Sequence, residues 1–352
     1  MQLTDHQKWV LYQIVTGLRE KKLPQMTMGG YAGTGKTTVL GFLHKMFPNF
    51  GVCAYTGKAA NQLRKKQVPA TTIHSRIYKP YFDLASKTVV FELTIDPGCE
   101  GFFVDEASMV PEDIHSDLKS FGFPIVYVGD HGQLEPVDSV FNLMQHPDYK
   151  LEEIHRNAGD IARFAERIRM GFVPRSFKGE GDSVEFVGGE PSDELLTSVD
   201  QVICAFNKTR TAINERIRKA KGYTTKLEVG EKVMCLRNNR KVGLFNGMQG
   251  TVLALREDGY RRKFMDFQFD ENIMKDVWYD PSTFGQETYK FKTGQDSPNP
   301  FDYAGCITCH KAQGDEWGKV LVIEQRCKGW EHKRWAYTAA SRAKEKLYWK
   351  NA

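Results

Sequence analysis

The sequence predicts an α/β protein with two parallel-sheet units, the first interrupted by a small β-hairpin and the second by an all-β insertion. Three observations predict it. Met26-Thr27-Met28 runs into Gly30-Tyr31-Ala32-Gly33-Thr34-Gly35-Lys36-Thr37, and Val39, Leu40, Leu43 and Phe47 follow at helical spacing, which is the strand–loop–helix order of a phosphate-binding loop. Residues 101–104 and 125–128 are short apolar runs bounded by polar residues, as are strands buried on both faces of a parallel sheet. Strand–helix alternation restarts near residue 201 and is interrupted by residues 228–300, where strand-like runs are separated by Gly and Asn turns.

Each element has its own signal. Trp9, Val10, Tyr12, Ile14, Val15 and Leu18 suit an opening helix over 5–22. Val52-Cys53-Ala54-Tyr55 reads as a strand, with a helix from Lys58. The stretch 78–93 carries Thr88-Val89-Val90-Phe91-Glu92-Leu93 and is expected to form the hairpin. Gln201-Val202-Ile203-Cys204-Ala205 reads as a strand, and Asn207 is expected to cap a helix over 209–220. Within the insertion, Val233-Met234, Gly250-Thr251-Val252-Leu253 and residues 264–269 read as strands. Residues 319–323 form a further strand leading to a C-terminal helix near 331–345.

Composition narrows the class. At 352 residues the chain holds two or three domains with sizeable cores, and its 41% hydrophobic and 26% charged content is ordinary for a soluble protein. No apolar run approaches the ~20 residues that span a bilayer. The opening Met1-Gln2-Leu3-Thr4-Asp5-His6-Gln7 lacks the features of a signal peptide, so the expected setting is cytoplasmic, without membrane partners. Seven scattered cysteines point to reduced thiols, and the single C-x-x-C, Cys306 and Cys309, lacks the second pair that a zinc ribbon needs. A net charge of +5 permits a polyanionic partner without demanding one. The clusters Arg64-Lys65-Lys66, Arg261-Arg262-Lys263 and His332-Lys333-Arg334 read as solvated faces.

The chemistry begins at the phosphate loop. Its glycines let backbone N–H groups face a polyphosphate, Lys36 supplies a charge near the β- and γ-phosphates, and the Thr37 hydroxyl suits Mg²⁺. Val104-Asp105-Glu106-Ala107 ends a strand with two carboxylates: Asp105 to share the metal with Thr37, Glu106 to take a proton from the attacking water. Gln133, after Gly129-Asp130-His131-Gly132, is placed to sense a γ-phosphate. Arg156 and Arg342 are candidates to neutralise charge on a transferred phosphoryl group.

The ordered set of motifs then resembles a known family. The phosphate loop at 30–37, Ala54-Tyr55-Thr56-Gly57-Lys58-Ala59-Ala60, Thr72-Ile73-His74-Ser75, Asp105-Glu106-Ala107-Ser108-Met109, Gly129-Asp130 with Gln133-Leu134 and Pro136-Val137, Leu151 with Arg156, Thr308-Cys309-His310-Lys311-Ala312-Gln313-Gly314, and Tyr337 with Arg342 resemble superfamily 1B helicases of the RecD/Dda type. The resemblance runs from Gln7 to Arg342, and the compact length is similar to phage-encoded members, for which the setting is the host cytoplasm. It implies two RecA-like domains, 1–77 with 94–155 and 156–227 with 301–352, a pin at 78–93 and an SH3-like insertion at 228–300. It implies an ATP-driven motor moving 5′→3′ on single-stranded DNA, acting at single-strand/duplex junctions, monomeric, and working beside single-strand-binding or replication proteins.

By the same resemblance Gln7 reads adenine, and Gly33, Thr34, Gly35, Lys36, Thr37 and Thr38 hold ATP with Mg²⁺ on Thr37 and Asp105. Lys36, Asp105, Glu106, Gln133, Arg156 and Arg342 are the catalytic set, shared between the two RecA-like domains. Thr56, Lys58, Thr72, His74, Thr308 and His310 grip the single strand, although small polar residues of this kind also serve as caps and turns. Tyr78, Tyr81, Phe82 and Trp278 are candidates for base stacking, or else core. Two departures stand out: Glu135 where the pattern has proline, and Asp315 where Ser or Thr is common.

Other classes fit less well. A GTPase would want an Asn-Lys-x-Asp guanine reader, whereas the chain has Asn207-Lys208-Thr209-Arg210. A small-molecule kinase leaves the second α/β domain and its arginine motif unexplained. A DNA-binding protein with a dead nucleotide fold is at odds with intact Lys36, Thr37, Asp105 and Glu106.

Overall fold

The computed structural model describes residues 3–20, 24–83, 88–134, 141–153, 159–171, 173–239, 242–269, 272–289, 297–328 and 331–352; for 80–83 and 88–91 the description is of backbone alone. The chain divides into two compact units, 1–158 and 159–352.

The first unit opens with helix α1 (Asp5–Arg19). Thr4 and Gln7 form a capping box: the Gln7 N–H donates to Thr4 Oγ1 (3.3 Å) and the Thr4 N–H to Gln7 Oε1 (3.0 Å). The helix stops at Arg19, short of the expected end, because its buried face runs out at Leu18. There follow β1 (Gln25–Gly30), α2 (Lys36–Met46), β2 (Phe50–Ala54), α3 (Gly57–Lys65), β3 (Ala70–Thr72), α4 (Ile73–Ile77), the hairpin strands β4 (Tyr78–Asp83) and β5 (Thr88–Leu93), β6 (Gly101–Asp105), α5 (Glu112–Ser120), β7 (Ile125–Gly129) and β8 (Tyr149–Leu151). The sheet is parallel in the order β3-β2-β6-β7-β1-β8. Side chains alternate between its two faces. Phe103, Val126 and Val128 join Val10, Ile14, Leu40 and Leu43 on one side, while Phe102, Val104, Ile125 and Tyr127 join Ile73, Ile114 and Leu118 on the other. The two-faced burial explains why these strands read as continuous apolar runs.

The second unit contains α6 (Asp160–Arg169), β9 (Val184–Phe186), α7 (Asp193–Ser198), β10 (Gln201–Cys204), α8 (Asn207–Ala220), β11 (Lys232–Cys235), β12 (Gln249–Glu257), β13 (Lys263–Phe269), β14 (Asn272–Asp280), β15 (Asn299–Tyr303), β16 (Cys306–Thr308), α9 (Cys309–Ala312), β17 (Trp317–Ile323), α10 (His332–Ala340) and β18 (Ala343–Lys350). Its parallel sheet has the order β16-β10-β17-β18-β9, and β11 to β15 close into a barrel around Val233, Val252, Met265, Phe267, Phe284 and Phe301. A buried ion pair fastens barrel to helix: Arg210 of α8 meets Asp302 of β15, whose carboxylate also accepts from the Gly285 N–H (2.7 Å) and the Tyr289 hydroxyl (2.6 Å).

Two expectations need correction here. Asn207 does not cap α8. It is the first helical residue, its side chain accepts from Arg210 Nε (3.2 Å), and Gln325 Oε1 takes the preceding Ala205 N–H (3.0 Å) and Phe206 N–H (3.4 Å). The C-terminal helix ends at Ala340, not near 345, and the chain enters β18, where Leu347 and Trp349 are buried in alternation. Arg342 therefore sits in the turn between helix and strand.

Candidate nucleotide site and nucleic-acid interface

The phosphate loop joins β1 to α2 at the carboxyl edge of the first sheet, where ligands of open α/β sheets gather. Gly33 (φ 80°) and Gly35 (φ 84°) are left-handed, a conformation that suits glycine and curls the loop. Gly35 occupies the N-cap of α2 and the helix has no side-chain cap, so its first N–H groups face the loop as an anion site requires. Lys36 Nζ donates across the loop to the carbonyls of Gly30 (2.7 Å) and Tyr31 (2.9 Å). Thr34 braces the same turn, its hydroxyl donating to Tyr31 O (2.8 Å). Thr37 and Thr38, in the first turn of α2, are partly exposed. Gln7 donates through Nε2 to Thr34 O (3.0 Å), which ties α1 to the loop.

Adjacent strand ends supply the acidic groups. Asp105 closes β6 and Asp130 follows β7, and the order β6-β7-β1 sets both beside the loop. Burial pushes the Asp105 carboxyl above its usual range, against the opposing pull of the Glu106 backbone N–H and the Lys36 and Lys66 charges. Glu106 is held left-handed (φ 53°, ψ 41°) ahead of a short 3₁₀ turn, a conformation that non-glycine residues adopt mainly where the surroundings enforce it.

Asp130 joins Gln133 as a candidate site residue. Its side chain is fully buried, Oδ1 accepts the Gly132 N–H (2.9 Å), Oδ2 accepts Gln133 Nε2 (3.1 Å), and Oδ2 stands 3.9 Å from Lys36 Nζ. One carboxylate thus connects the lysine of the phosphate loop to the candidate γ-phosphate sensor. The available signal was its place at the end of an apolar strand, next to the strand that ends in Asp105. His131 packs its ring on Tyr31 of the phosphate loop at 4.2 Å, and burial lowers its pKa.

A hard-oxygen pair, the Thr37 hydroxyl and the Asp105 carboxylate, fits Mg²⁺, which takes few protein ligands and leaves the rest to water and phosphate. Among the described residues no group of three or more His, Cys, Asp and Glu is arranged for a metal. Cys306 and Cys309 are free thiols, both buried, and burial raises both.

The expected nucleic-acid residues lie at strand ends within each unit. Thr56 follows β2 and caps α3, accepting the Ala59 N–H (3.1 Å); Thr72 ends the neighbouring β3 and caps α4, accepting the Ser75 N–H (3.1 Å). Both are therefore caps, and both present a helix start at the same sheet edge, since Ala54 pairs with Thr72. Lys58 is buried in the first turn of α3. His74 lies between the rings of Tyr55 (5.9 Å) and Tyr78 (5.6 Å), and the Tyr78 hydroxyl donates to Asp117. In the second unit Thr308 ends β16 at the start of α9, and burial lowers the pKa of His310. Trp278 packs under Arg262 (5.7 Å). Arg156 and Glu135, and the side chains of Tyr81 and Phe82, lie outside the described residues.

Arg342 is 4% exposed and held through all three guanidinium nitrogens: Nε to Thr338 O (3.0 Å), Nη1 to Asp315 O (3.1 Å) and Nη2 to Ser341 Oγ (2.9 Å). Among the described residues no helix is long and apolar enough to cross a membrane.

Comparison with known proteins places the chain among nucleotide-binding and helicase-like relatives. A family profile described as AAA domain matches residues 2–185, about half of the 352-residue chain, and one described as UvrD-like helicase C-terminal domain matches 303–349. The ATP-dependent RecD2 DNA helicase of Deinococcus radiodurans is 25% identical over 360 residues, covering 92% of this chain and 46% of that protein. The ATP-dependent DNA helicase dda of Enterobacteria phage T4 is 30% identical over 253 residues, covering 62% and 57%. The chain thus spans about half the length of the curated relatives it matches. A structure of Bacteroides Pif1 bound to ssDNA superposes with a TM-score of 0.64 at 19% identity over 99% of this chain and 92% of the other. The Pif1 helicase of Candida albicans gives 0.58 at 20% over 99% and 95%; at such identities the likeness concerns the fold alone. With its phosphate loop and strand-end carboxylates, the chain belongs to the AAA domain family, and it is similar to superfamily 1B helicases of the RecD and Dda type.

Proposed function

We propose that the protein is an ATP-dependent DNA helicase that moves 5′→3′ along single-stranded DNA and parts the duplex at a hairpin wedge. The observation that carries the reading is the convergence of Lys36, Asp105, Asp130 and Gln133 at the carboxyl edge of the sheet in which β2 is followed by Thr56 and the adjoining β3 ends in Thr72. The relatives named as ATP-dependent DNA helicases support it.

In the proposed reaction ATP is the substrate. The loop N–H groups and Lys36 bind its phosphates, Gln7 contacts adenine, Thr34 belongs to the phosphate loop, and Gln133 senses the γ-phosphate. Glu106 takes the proton of the attacking water as the bond between the γ-phosphorus and the β–γ bridging oxygen breaks, releasing ADP and phosphate. Mg²⁺, when held by Thr37 and Asp105, supplies charge neutralisation. Arg342, and Arg156 by family resemblance, neutralise charge on the transferred group. Thr56, Lys58, Thr72, His74, Thr308 and His310 hold the strand, and the β4–β5 hairpin is the wedge. Single-stranded DNA and single-strand/duplex junctions are the expected partners.

Phosphate release measured with and without an oligo-dT strand tests this. The reading expects strong stimulation by the strand and loss of turnover in Lys36→Ala. A rate indifferent to the strand would remove the motor, and near-parental hydrolysis in Lys36→Ala would remove the phosphate site.

A further inference from the structure

We propose that Asp315 is a positioning residue that ties Arg342 to the barrel and makes DNA-stimulated hydrolysis depend on that tie; the inference rests on the reading of Arg342 as a residue that acts on ATP. The segment 308–315 carries three kinds of contact along its length. It begins with Thr308 and His310, the positions assigned to the strand. In its middle Lys311 Nζ donates to Asn246 Oδ1 (2.8 Å), just ahead of β12. At its end Gly314 turns left-handed (φ 80°), and Asp315 faces two ways.

The Asp315 carboxylate accepts from Gln249 Nε2 at 3.4 Å, at the long end of a hydrogen bond, and its backbone carbonyl accepts from Arg342 Nη1 at 3.1 Å. Gln249 is fixed on the barrel wall: it opens β12 and pairs with Met234 of β11. The Arg342 guanidinium also donates to Thr338 O and Ser341 Oγ, both in its own helix turn. Asp315 thus gives Arg342 a reference outside that turn. The next strand continues the link, with the Trp317 N–H donating to Arg342 O (2.9 Å). This arrangement also accounts for an acid at a position where the family pattern has Ser or Thr, since the longer carboxylate spans to Gln249. The barrel serves as an abutment, so that a strand held at Thr308 and His310 sets the Asp315 carbonyl and, through it, the guanidinium.

The test uses the full chain, ATP and an oligo-dT strand, with Gln249→Glu, Asp315→Asn, their combination, and Arg342→Ala as reference. Gln249→Glu sets two carboxylates against each other and is expected to lower DNA-stimulated kcat about tenfold, with KM for ATP and DNA-free hydrolysis within twofold of the parent. The combination restores a donor–acceptor pair with its direction reversed, the new amide at position 315 donating to the new carboxylate at position 249. It is expected to regain most of the rate. Gln249→Ala, which adds no charge, gives a second route if the first variant folds poorly, with an expected loss of about threefold. Full stimulated turnover in Gln249→Glu, an equal loss with and without DNA, or failure of the combination to recover overturns the proposal. Arg342→Ala separates the two readings. If it hydrolyses at the parental rate, Arg342 does not act on ATP and the proposal falls with that role. If it is inactive while Gln249→Glu is fully active, the tie alone is wrong.

Discussion

Asp130→Asn probes the nucleotide site at the point where its parts meet. The substitution keeps shape and removes charge from a fully buried side chain that stands 3.9 Å from Lys36 Nζ. At that separation and an effective dielectric constant of about 20, the gross attraction is about 4 kcal/mol, most of it offset by the cost of burying the carboxylate. What the variant loses locally is better gauged from the hydrogen bonds. Oδ1 accepts from Gly132 and Oδ2 from the Gln133 amide, and asparagine keeps only one acceptor oxygen. Losing one charge-assisted bond costs about 2 kcal/mol. If that loss falls on the orientation of Gln133 in the transition state, kcat drops about 30-fold. KM for ATP should stay within about twofold, because Lys36 and the loop amides still bind the phosphates. Steady-state phosphate release at saturating oligo-dT reads both constants, and a urea melt checks that the variant is folded. Turnover within twofold of the parent, or a loss carried by KM alone, would refute the reasoning that Asp130 sets the sensor.

Other outcomes follow from the same geometry. Glu106→Gln should bind ATP normally and hydrolyse it at least about a hundredfold more slowly, as read by nucleotide binding beside single-turnover hydrolysis; loss of binding itself would remove the proton-acceptor role. Deleting residues 82–91 should spare DNA-stimulated hydrolysis and impair unwinding, and full-rate unwinding would show that the hairpin is not the wedge. His115 packs against Tyr127, its Nδ1 2.8 Å from the Tyr127 hydroxyl, and burial lowers its pKa. In the unfolded chain the imidazole protonates at pH ~6.5, whereas the folded one resists, so the unfolded state binds more protons and stability falls as pH drops through that value. The urea midpoint should therefore fall from about pH 7.5 to about pH 5.5, and fall less in His115→Gln; equal falls would assign the acid sensitivity elsewhere.

Much of this fold is legible in the sequence where one physical signal acts alone. The phosphate loop announces itself because a tight, anion-facing turn leaves few alternatives to Gly33, Gly35 and Lys36. The strands of the first sheet show because burial on both faces forces continuous apolar runs. The signal weakens where tertiary contacts decide. Ala343-Lys344-Glu345-Lys346 has helix-forming composition, and only Leu347 and Trp349 reveal the alternation of β18, which forms by pairing with β17 and β9. The start of α8 is set by Gln325, distant in sequence, so local capping preferences misplace it. The barrel strand β14 lacks a strong apolar run, because it is largely exposed until it reaches Val277.

The candidate site follows the same division. Residues fixed by motif, Lys36, Thr37, Asp105, Glu106 and Gln133, could be named from the chain. Asp130 carries only the weaker signal of a strand end, and its role rests on the distance to Lys36 across two neighbouring strands. Thr56 and Thr72 illustrate a third case: their capping bonds are local and predictable, while their shared sheet edge depends on the parallel pairing of β2 with β3. Asp315 stood out only as a departure until its contacts with Gln249 and Arg342 gave it a reason.

The most direct test of the central claim is ATP-dependent unwinding of matched duplexes carrying either a 5′ or a 3′ single-stranded tail, with Lys36→Ala as the control. The account predicts that the 5′-tailed duplex opens, that the 3′-tailed one does not, and that Lys36→Ala opens neither. Opening of the 3′-tailed duplex would contradict the direction of travel, and failure to open either would contradict the helicase itself.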